Sequence, residues 1–572
     1  MRFGFIIIAM VLSVFGARLV QLQGLDPNAY AAMAEREGVV NAVLPAERGA
    51  ITDRNGVDLA TSVDGMMIVA DPSMTDGDAA PIAAYLAEKL DLDYVTTLNR
   101  LREKDTRFQY IARRIPSTIA NKALGELEDR GYKGLSVRRD PMRDYPAKDV
   151  AANLIGFIGE DEALAGLERT FDSTLSGVDG EETYEVGDGK RIPLGDSTSV
   201  APKNGQDLQL TINRDVQWYV QRVLRNTVRS SQAESGVAVV MDSKTGELIS
   251  LADYPTFDAT EPLSSAKSED DLGSRAMSDV YEPGSVQKVL TFASLIDAGK
   301  VTARTRIAVP SELRREGRDI PIHDYWQHGL LRLTAAGVLS KSSNIGTVRA
   351  AERISSADLH DYLREFGLGE RTNVGVRGET NGILPDKSLW TQGTHDTIAF
   401  GQGLSVNAVQ MAAAVNTIAN GGERISPSLI KGSATTDAGQ TVGTERTERT
   451  DVVSEDAAEQ VTEMMELVAD PEDGIAPAAA VPGYRVAGKT GTAQRVGKDC
   501  GCYDGTYTVS FAGFAPADDP RFTVYVVVQD PGNGGGGGSV GGPAFSKIMS
   551  YLLRKYAVAP TGTKPSTLPV EW

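Results

Sequence analysis

A serine followed three residues later by a lysine can make a nucleophile without histidine, and this sequence offers that pair three times: Ser264/Lys267, Ser285/Lys288 and Ser428/Lys431. Context separates them. In "YEPGSVQKVLTFASLIDAG", Pro283 and Gly284 form a turn, after which Val286, Val289, Leu290, Ala293, Leu295 and Ile296 recur at helical spacing until Gly299. At about 100° per residue, Ser285 and Lys288 lie roughly 60° apart on one helix face. A helix start directs N–H groups and partial positive charge at whatever is bonded there. A buried amine with a pKa near neutrality can take the serine proton. Taken alone, the pair also fits an apolar helix with an incidental Ser and Lys. Ser264 sits in the polar, acidic "EPLSSAKSEDDLGS", and Ser428 follows Pro427 with no long helix behind it.

Two further triplets carry polar chemistry. Ser342-Ser343-Asn344 in "LSKSSNIGTV" falls between two helical patterns, where a hydroxyl can relay a proton and an amide can hold a peptide carbonyl; helix capping is the plainer role. A second S-x-N stands at Ser405/Asn407. Lys-Thr-Gly occurs at Lys244 and at Lys489, and the latter also completes a G-x-x-x-x-G-K-T pattern from Gly483. A phosphate loop needs a buried strand before its first glycine and a helix after its Lys-Thr. Here "PEDGIAPAAAVP" precedes and Gly491-Thr492-Ala493-Gln494 follows, which suits a strand, so the phosphate reading fails. On a strand, Lys489, Thr490 and Thr492 can line a carboxylate site, with Gly491 between them. Lys244 marks a hairpin turn between apolar strands. The selected set runs Ser285, Ser342, Lys489 in chain order.

The elements that must position these residues follow. The chain has 572 residues, enough for two or three domains. Its 58 basic and 77 acidic residues leave a net charge of −19, which argues against nucleic acid as a partner. Its four histidines make no H-E-x-x-H pair, and neither a metal nor a cofactor is called for. Phe3 to Ala17 carries no charge and, continued through Leu22 past Arg18, reaches a length able to cross a bilayer. Residues 1–22 are therefore expected to be an uncleaved transmembrane anchor, with the bulk of the chain outside. Cys500 and Cys502 in "KDCGCYDG" fit either a small-ring disulfide or two free thiols.

From 23 to 200, helical stretches alternate with short strands and turns. From 201 to 558 the pattern is a strand and helix, a hairpin at Lys244–Gly246, several helices, three strands after Val486, a flexible glycine run Gly534–Gly538 and a closing helix. Helices flanking a mainly antiparallel sheet make this an α/β sandwich. Residues 559–572, rich in Pro and Thr, read as a disordered tail.

"YEPGSVQK", "SSN" and "KTGTAQ", together with "AERGAITDRNG", "RDPMRDYP" and "GLERTFDSTLSG", resemble the class B penicillin-binding proteins, which are peptidoglycan D,D-transpeptidases. The resemblance covers nearly the whole chain. It implies the serine transpeptidase fold behind an elongated α+β pedestal over 23–200, on one amino-terminal membrane helix. It assigns Ser285 as the acylated nucleophile, Lys288 as its base, Ser342 as a proton relay and Asn344 as a holder of the substrate backbone. Lys489 joins the catalytic set and, with Thr490 and Thr492, binds the terminal carboxylate; Ser343, Thr490, Gly491 and Thr492 fall to substrate binding, and the Ser285 and Thr492 N–H groups to an oxyanion hole. The implied substrates are a stem peptide ending in D-Ala-D-Ala, on lipid-linked nascent glycan, and an amine acceptor; β-lactams would be covalent inhibitors. The division-specific type is the nearer match, implying a SEDS-type glycan polymerase and other divisome proteins as partners at the plasma membrane. The elongation-specific type, or a β-lactam sensor or scaffold without turnover, is the alternative.

Overall fold

The computed structural model describes residues 2–20, 39–104, 106–159, 162–187, 190–191, 197–315, 321–497 and 501–572. The chain forms two compact units. The smaller comprises 1–49, 62–143 and 176–206; the larger comprises 50–61, 144–175 and 207–572. The expected boundary near residue 200 is thus too simple. Ala50–Thr61 and Asp144–Leu175 fold with the larger unit, where Ile51, Leu154, Leu167, Phe171 and Leu175 lose all contact with water. Ile51 also pairs in parallel with Leu208.

In the smaller unit an antiparallel sheet has Gly65–Ala70 at its centre, flanked by Gln109–Pro116 and Leu135–Arg139. Helices Ala79–Leu90 and Ser117–Asp129 cover it, closing a core around Ile68, Ile82, Leu86, Ile111 and Leu127. A second sheet pairs Val39–Leu44 and Ser197–Val200 with Gly180–Gly187. This unit is α+β, as expected.

The apolar amino-terminal segment is helical over Arg2–Val20. Among the described residues, however, no helix is long and apolar enough to cross a membrane. At a rise of about 1.5 Å per residue, its nineteen residues span roughly 28 Å, just short of a hydrocarbon core. The anchor expected over 1–22 is therefore not seen as a span, and its last two residues lie outside the described residues.

The larger unit is a three-layer sandwich. Its five-stranded sheet contains β1 (Ser235–Asp242), β2 (Leu248–Tyr254), β3 (Ala487–Val496), β4 (Tyr503–Ala515) and β5 (Phe522–Gln529), all antiparallel in the order β2-β1-β5-β4-β3. The alternation of side chains builds two cores from one strand. Val237, Val239 and Met241 enter one, with Tyr525 and Val527; Ala238 and Val240 enter the other, with Val524, Val526 and Val528. Both faces being covered, these strands read as continuous apolar runs. Asp242 Oδ1 accepts the N–H groups of Lys244 and Thr245, so that Lys-Thr-Gly is a hairpin turn, as read.

Helix α1 (Arg214–Ser230) and the last helix, α5 (Gly537–Lys555), cover one face. The other face carries α2 (Gln287–Asp297), and with it α3 (Ala335–Ser340) and α4 (Asn344–Ala351). Two expectations change here. The glycine run does not stay a free loop: α5 starts at Gly537, where a Cβ would lie 2.2 Å from Ser510 O and 2.6 Å from Gly491 O. Nor is the chain end a disordered tail. Thr334 N–H bonds to Val570 O at 3.0 Å, Trp572 Nε1–H bonds to Leu333 O at 3.0 Å, and Leu568 joins the core. Proline fixes backbone angles as well as breaking helices, and here a Pro-rich strap packs without regular structure.

Candidate active site

Ser285 lies in a 3-10 turn, Gly284–Val286, which runs directly into α2. The turn seats against β3 because two glycines admit it. Gly284 has φ +53°, and a Cβ there would lie 2.8 Å from Thr492 O; one on Gly491 would lie 3.0 Å from Pro283 O. The strand β3 is the sheet edge, so its outer side, unpaired by any strand among the described residues, faces the Ser285 turn. Ser285 is partly exposed, and among the described residues its Oγ makes no hydrogen bond.

One turn on from Ser285, at the start of α2, Lys288 is fully buried. Its Nζ donates to Ser342 O at 2.6 Å and to Asn344 Oδ1 at 2.7 Å, with Ser342 Oγ at 3.4 Å. Burial lowers its pKa from 10.5 to about 7, against the opposing pull of Asp324. A neutral amine has two N–H groups and one lone pair. With both N–H groups engaged by Ser342 O and Asn344 Oδ1, the lone pair is left to accept a proton.

Ser342 is the junction. It sits between α3 and α4 at φ +60°, a region that costs a non-glycine residue about 1 kcal/mol or more. Its carbonyl meets Lys288 while its hydroxyl meets Lys489, whose Nζ donates to Ser342 Oγ at 2.8 Å, Thr490 O at 3.1 Å and Thr490 Oγ1 at 3.2 Å. Lys489 is also fully buried, and burial first, then the nearby Lys288, holds its pKa well below the ordinary amine value.

Asn344 begins α4 and turns its amide nitrogen to His323 O at 3.1 Å. Thr490 is buried and Thr492 exposed at the cleft edge. Ser343 departs from expectation. Its side chain is fully buried, caps α4 by accepting the Gly346 N–H, and donates to Asp324 Oδ2 at 2.7 Å, which turns it into the protein and away from a substrate. Asp324, which the motifs do not mark, also accepts the Ile345 N–H at 3.0 Å and lies 3.1 Å from His328 Nε2. It thereby fixes the start of α4 and supplies the negative charge felt by Lys288.

The rejected pairs stay apart from this cluster. Ser264 Oγ bonds to Glu261 O, Ser428 Oγ to Ile430 O, and Asn407 caps the helix Ala408–Ala419. Among the described residues, no three His, Cys, Asp or Glu side chains are grouped as metal ligands would be. Cys502 is disulfide-bonded, which decides the question left open by the sequence; Cys500 lies outside the described residues.

A partly exposed serine one helical turn before a buried lysine of near-neutral pKa, with Ser342 bridging that lysine to a second one, is an arrangement able to carry serine acyl transfer without histidine. Residues 236–550 match the penicillin binding protein transpeptidase domain and residues 43–210 the penicillin-binding protein dimerisation domain. The chain belongs to the class B penicillin-binding proteins and is a D,D-transpeptidase acting in peptidoglycan synthesis. It is 35% identical to penicillin-binding protein PbpB of Mycolicibacterium smegmatis, over 99% of this chain and 92% of that one. It is 33% identical to peptidoglycan D,D-transpeptidase FtsI of Escherichia coli K12, over 97% and 91%. In structure it resembles a peptidoglycan synthetase from Bifidobacterium adolescentis (TM-score 0.74, 30% identity, 93% of this chain and 100% of that one). It also resembles penicillin binding protein 3 from Mycobacterium tuberculosis complexed with aztreonam (TM-score 0.70, 30% identity, 93% and 100%).

Proposed function

We propose that Ser285 attacks the carbonyl carbon of the penultimate residue of a D-Ala-D-Ala stem peptide while its proton passes to Lys288. The observation that carries this reading is the convergence of Lys288 and Lys489 on the one residue Ser342. As the C–N bond breaks, the leaving D-Ala amine takes the proton through the Ser342 hydroxyl, and an ester remains on Ser285. An acceptor amine from a neighbouring stem peptide then attacks that ester and restores the serine. The donor peptide lies along the open edge of β3 as an added strand. Asn344 holds its backbone, and Lys489, Thr490 and Thr492 hold its terminal carboxylate.

The carboxylate also sorts the protons. Two ammonium groups on one hydroxyl repel, and an arriving anion beside Lys489 favours the charge there, which keeps Lys288 neutral. The Ser285 and Thr492 N–H groups stabilise the oxyanion, each contributing about 3 kcal/mol. A β-lactam occupies the same positions and stops at the ester.

The relatives named FtsI and PbpB support a role in septal wall synthesis, and with that role we propose a SEDS-type polymerase and other divisome proteins as partners. The amino-terminal helix, with Met10, Leu12, Val14 and Phe15 exposed, supports attachment at the plasma membrane, and the peptidoglycan substrate places the catalytic unit on the outer side. Intact-mass spectrometry after exposure to a fluorescent penicillin tests the site. The wild type should carry one lasting adduct and Ser285→Ala none. Rapid loss of the adduct would point to a hydrolase, and an adduct retained by Ser285→Ala would remove Ser285 from the reaction.

A further inference from the structure

The outer ends of β3 and β4, which flank the Cys-Gly-Cys sequence, have no place in the acyl-transfer scheme, yet they reach the nucleophile loop. Beyond Gln494, β3 and β4 continue to the pair Val496–Tyr503, and Gly497 N–H bonds to Cys502 O at 2.8 Å. The Tyr503 hydroxyl lies 3.1 Å from each oxygen of the Glu282 carboxylate. Glu282, three residues before Ser285, also accepts the Gly403 N–H at 2.8 Å through Oε1. On either side of Glu282 the loop is laced to the 401–406 segment, by Tyr281 with Val406 in both directions and by Gly284 N–H to Gly401 O. Glu282 therefore joins three segments: the nucleophile loop, the loop behind it and the far end of the strand pair that carries Lys489 and Thr492.

We infer that Tyr503 and Glu282 are positioning residues for acylation, forming a clip that sets the gap between Ser285 and the open edge of β3. The inner end of that gap is set by Gly284 and Gly491, whose missing side chains bring turn and strand together. The outer end has no such packing: Val496, Tyr503 and Tyr507 are all exposed there. A two-stranded ribbon running past its packed portion has few holds: Arg495 pairs at 2.8 Å with Glu234, which lies outside the nucleophile loop, and the disulfide at Cys502 braces the residue next to Tyr503. The hydroxyl–carboxylate bond ties the ribbon to the nucleophile's own loop. The donor peptide or β-lactam must lie between the two, so freeing the outer end thins the population in which the carbonyl sits over Ser285 Oγ.

The inference rests on the acyl-transfer reading of this site, and its test keeps the two apart. Acylation of the full chain by a fluorescent penicillin is followed over time and concentration, for wild type, Tyr503→Phe, Glu282→Ala and Glu282→Gln, with the melting temperature of each. One partly exposed hydrogen bond to a charged group predicts that Tyr503→Phe and Glu282→Ala lower the saturating acylation rate roughly 5- to 10-fold. The half-saturating concentration and the melting temperature should stay near wild type. Glu282→Gln keeps an oxygen able to accept both bonds and should recover to within about 3-fold. Wild-type rates in Tyr503→Phe would overturn the inference. So would a Glu282→Gln as slow as Glu282→Ala, or losses explained by a smaller fraction of protein that acylates at all. Failure of the underlying reading looks different: the wild type itself would take no adduct.

Discussion

With Lys288 as the base, acylation becomes a titration of one buried amine. Its pKa falls from 10.5 to about 7, chiefly through burial, while Asp324 pulls it upward. Only the neutral amine can accept the serine proton, so a lowered pKa means activity that rises with pH through that value and then levels. Near pH 7.5 an amine with pKa about 7 is roughly three-quarters neutral, whereas an ordinary lysine is neutral in about one molecule per thousand. Between about pH 5.5 and about pH 8.5 the acylation rate should climb about 30-fold along a single-proton curve. Replacing Asp324 by asparagine removes the charge that holds the pKa up, so the midpoint should move to lower pH. The same replacement disturbs the bonds to Ser343 and Ile345, so the plateau can fall, but the midpoint is read from the normalised curve. The assay is the rate of fluorescent-penicillin acylation at saturating drug across that range, for wild type, Asp324→Asn and His328→Gln. The histidine variant matters because His328 touches Asp324. A flat profile, a midpoint that rises in Asp324→Asn, or an inflection that disappears in His328→Gln would refute the assignment of the base.

Two further outcomes follow from the same geometry. At Ser342, glycine and alanine both delete the hydroxyl that Lys489 meets, and each should slow acylation about 100-fold or more. Glycine alone relieves the +60° backbone angle, so Ser342→Gly should be more stable than Ser342→Ala by about 1 kcal/mol in chemical denaturation; equal stabilities would contradict the strain. At the chain end, removing residues 566–572 exposes the site of Leu568 and frees the bonds of Thr334 and Leu333. One buried leucine and a few hydrogen bonds are together worth several kcal/mol, about 2–3 for the side chain and about 1 per bond. The shortened chain should unfold at clearly lower denaturant, whereas a loose tail would leave the transition within about 0.5 kcal/mol of wild type.

What could be read from the residue order is what depends on near neighbours. The helix behind Ser285 announces itself by apolar spacing, and its start places Lys288 one turn away. The strand at Lys489 follows from the failure of its surroundings to fit a phosphate loop. The hairpin at Lys244 is a matter of four residues. Distant partners left no such trace. Asp324 sits in "IPIHDYWQHG" with nothing local to mark it, and its part in the site arises because α4 begins against it. Ser343 belongs to the same motif as Ser342 and Asn344, yet the left-handed turn at Ser342 sends its side chain inward, to cap a helix. A run of glycines signals flexibility when only the chain is considered. Gly537 instead meets Gly491 and Ser510 where no side chain would fit, and there the absence of a Cβ is a packing requirement. The chain end reads as disordered for the corresponding reason, since it has no periodicity of its own and borrows its order from Arg332, Leu333 and Thr334. Local spacing can therefore single out Ser285 and Lys288, but the pKa of Lys288 is a tertiary property. It depends on the burial of Lys288 and on an aspartate thirty-six positions away, which is why the pH midpoint in Asp324→Asn tests the fold and the chemistry together.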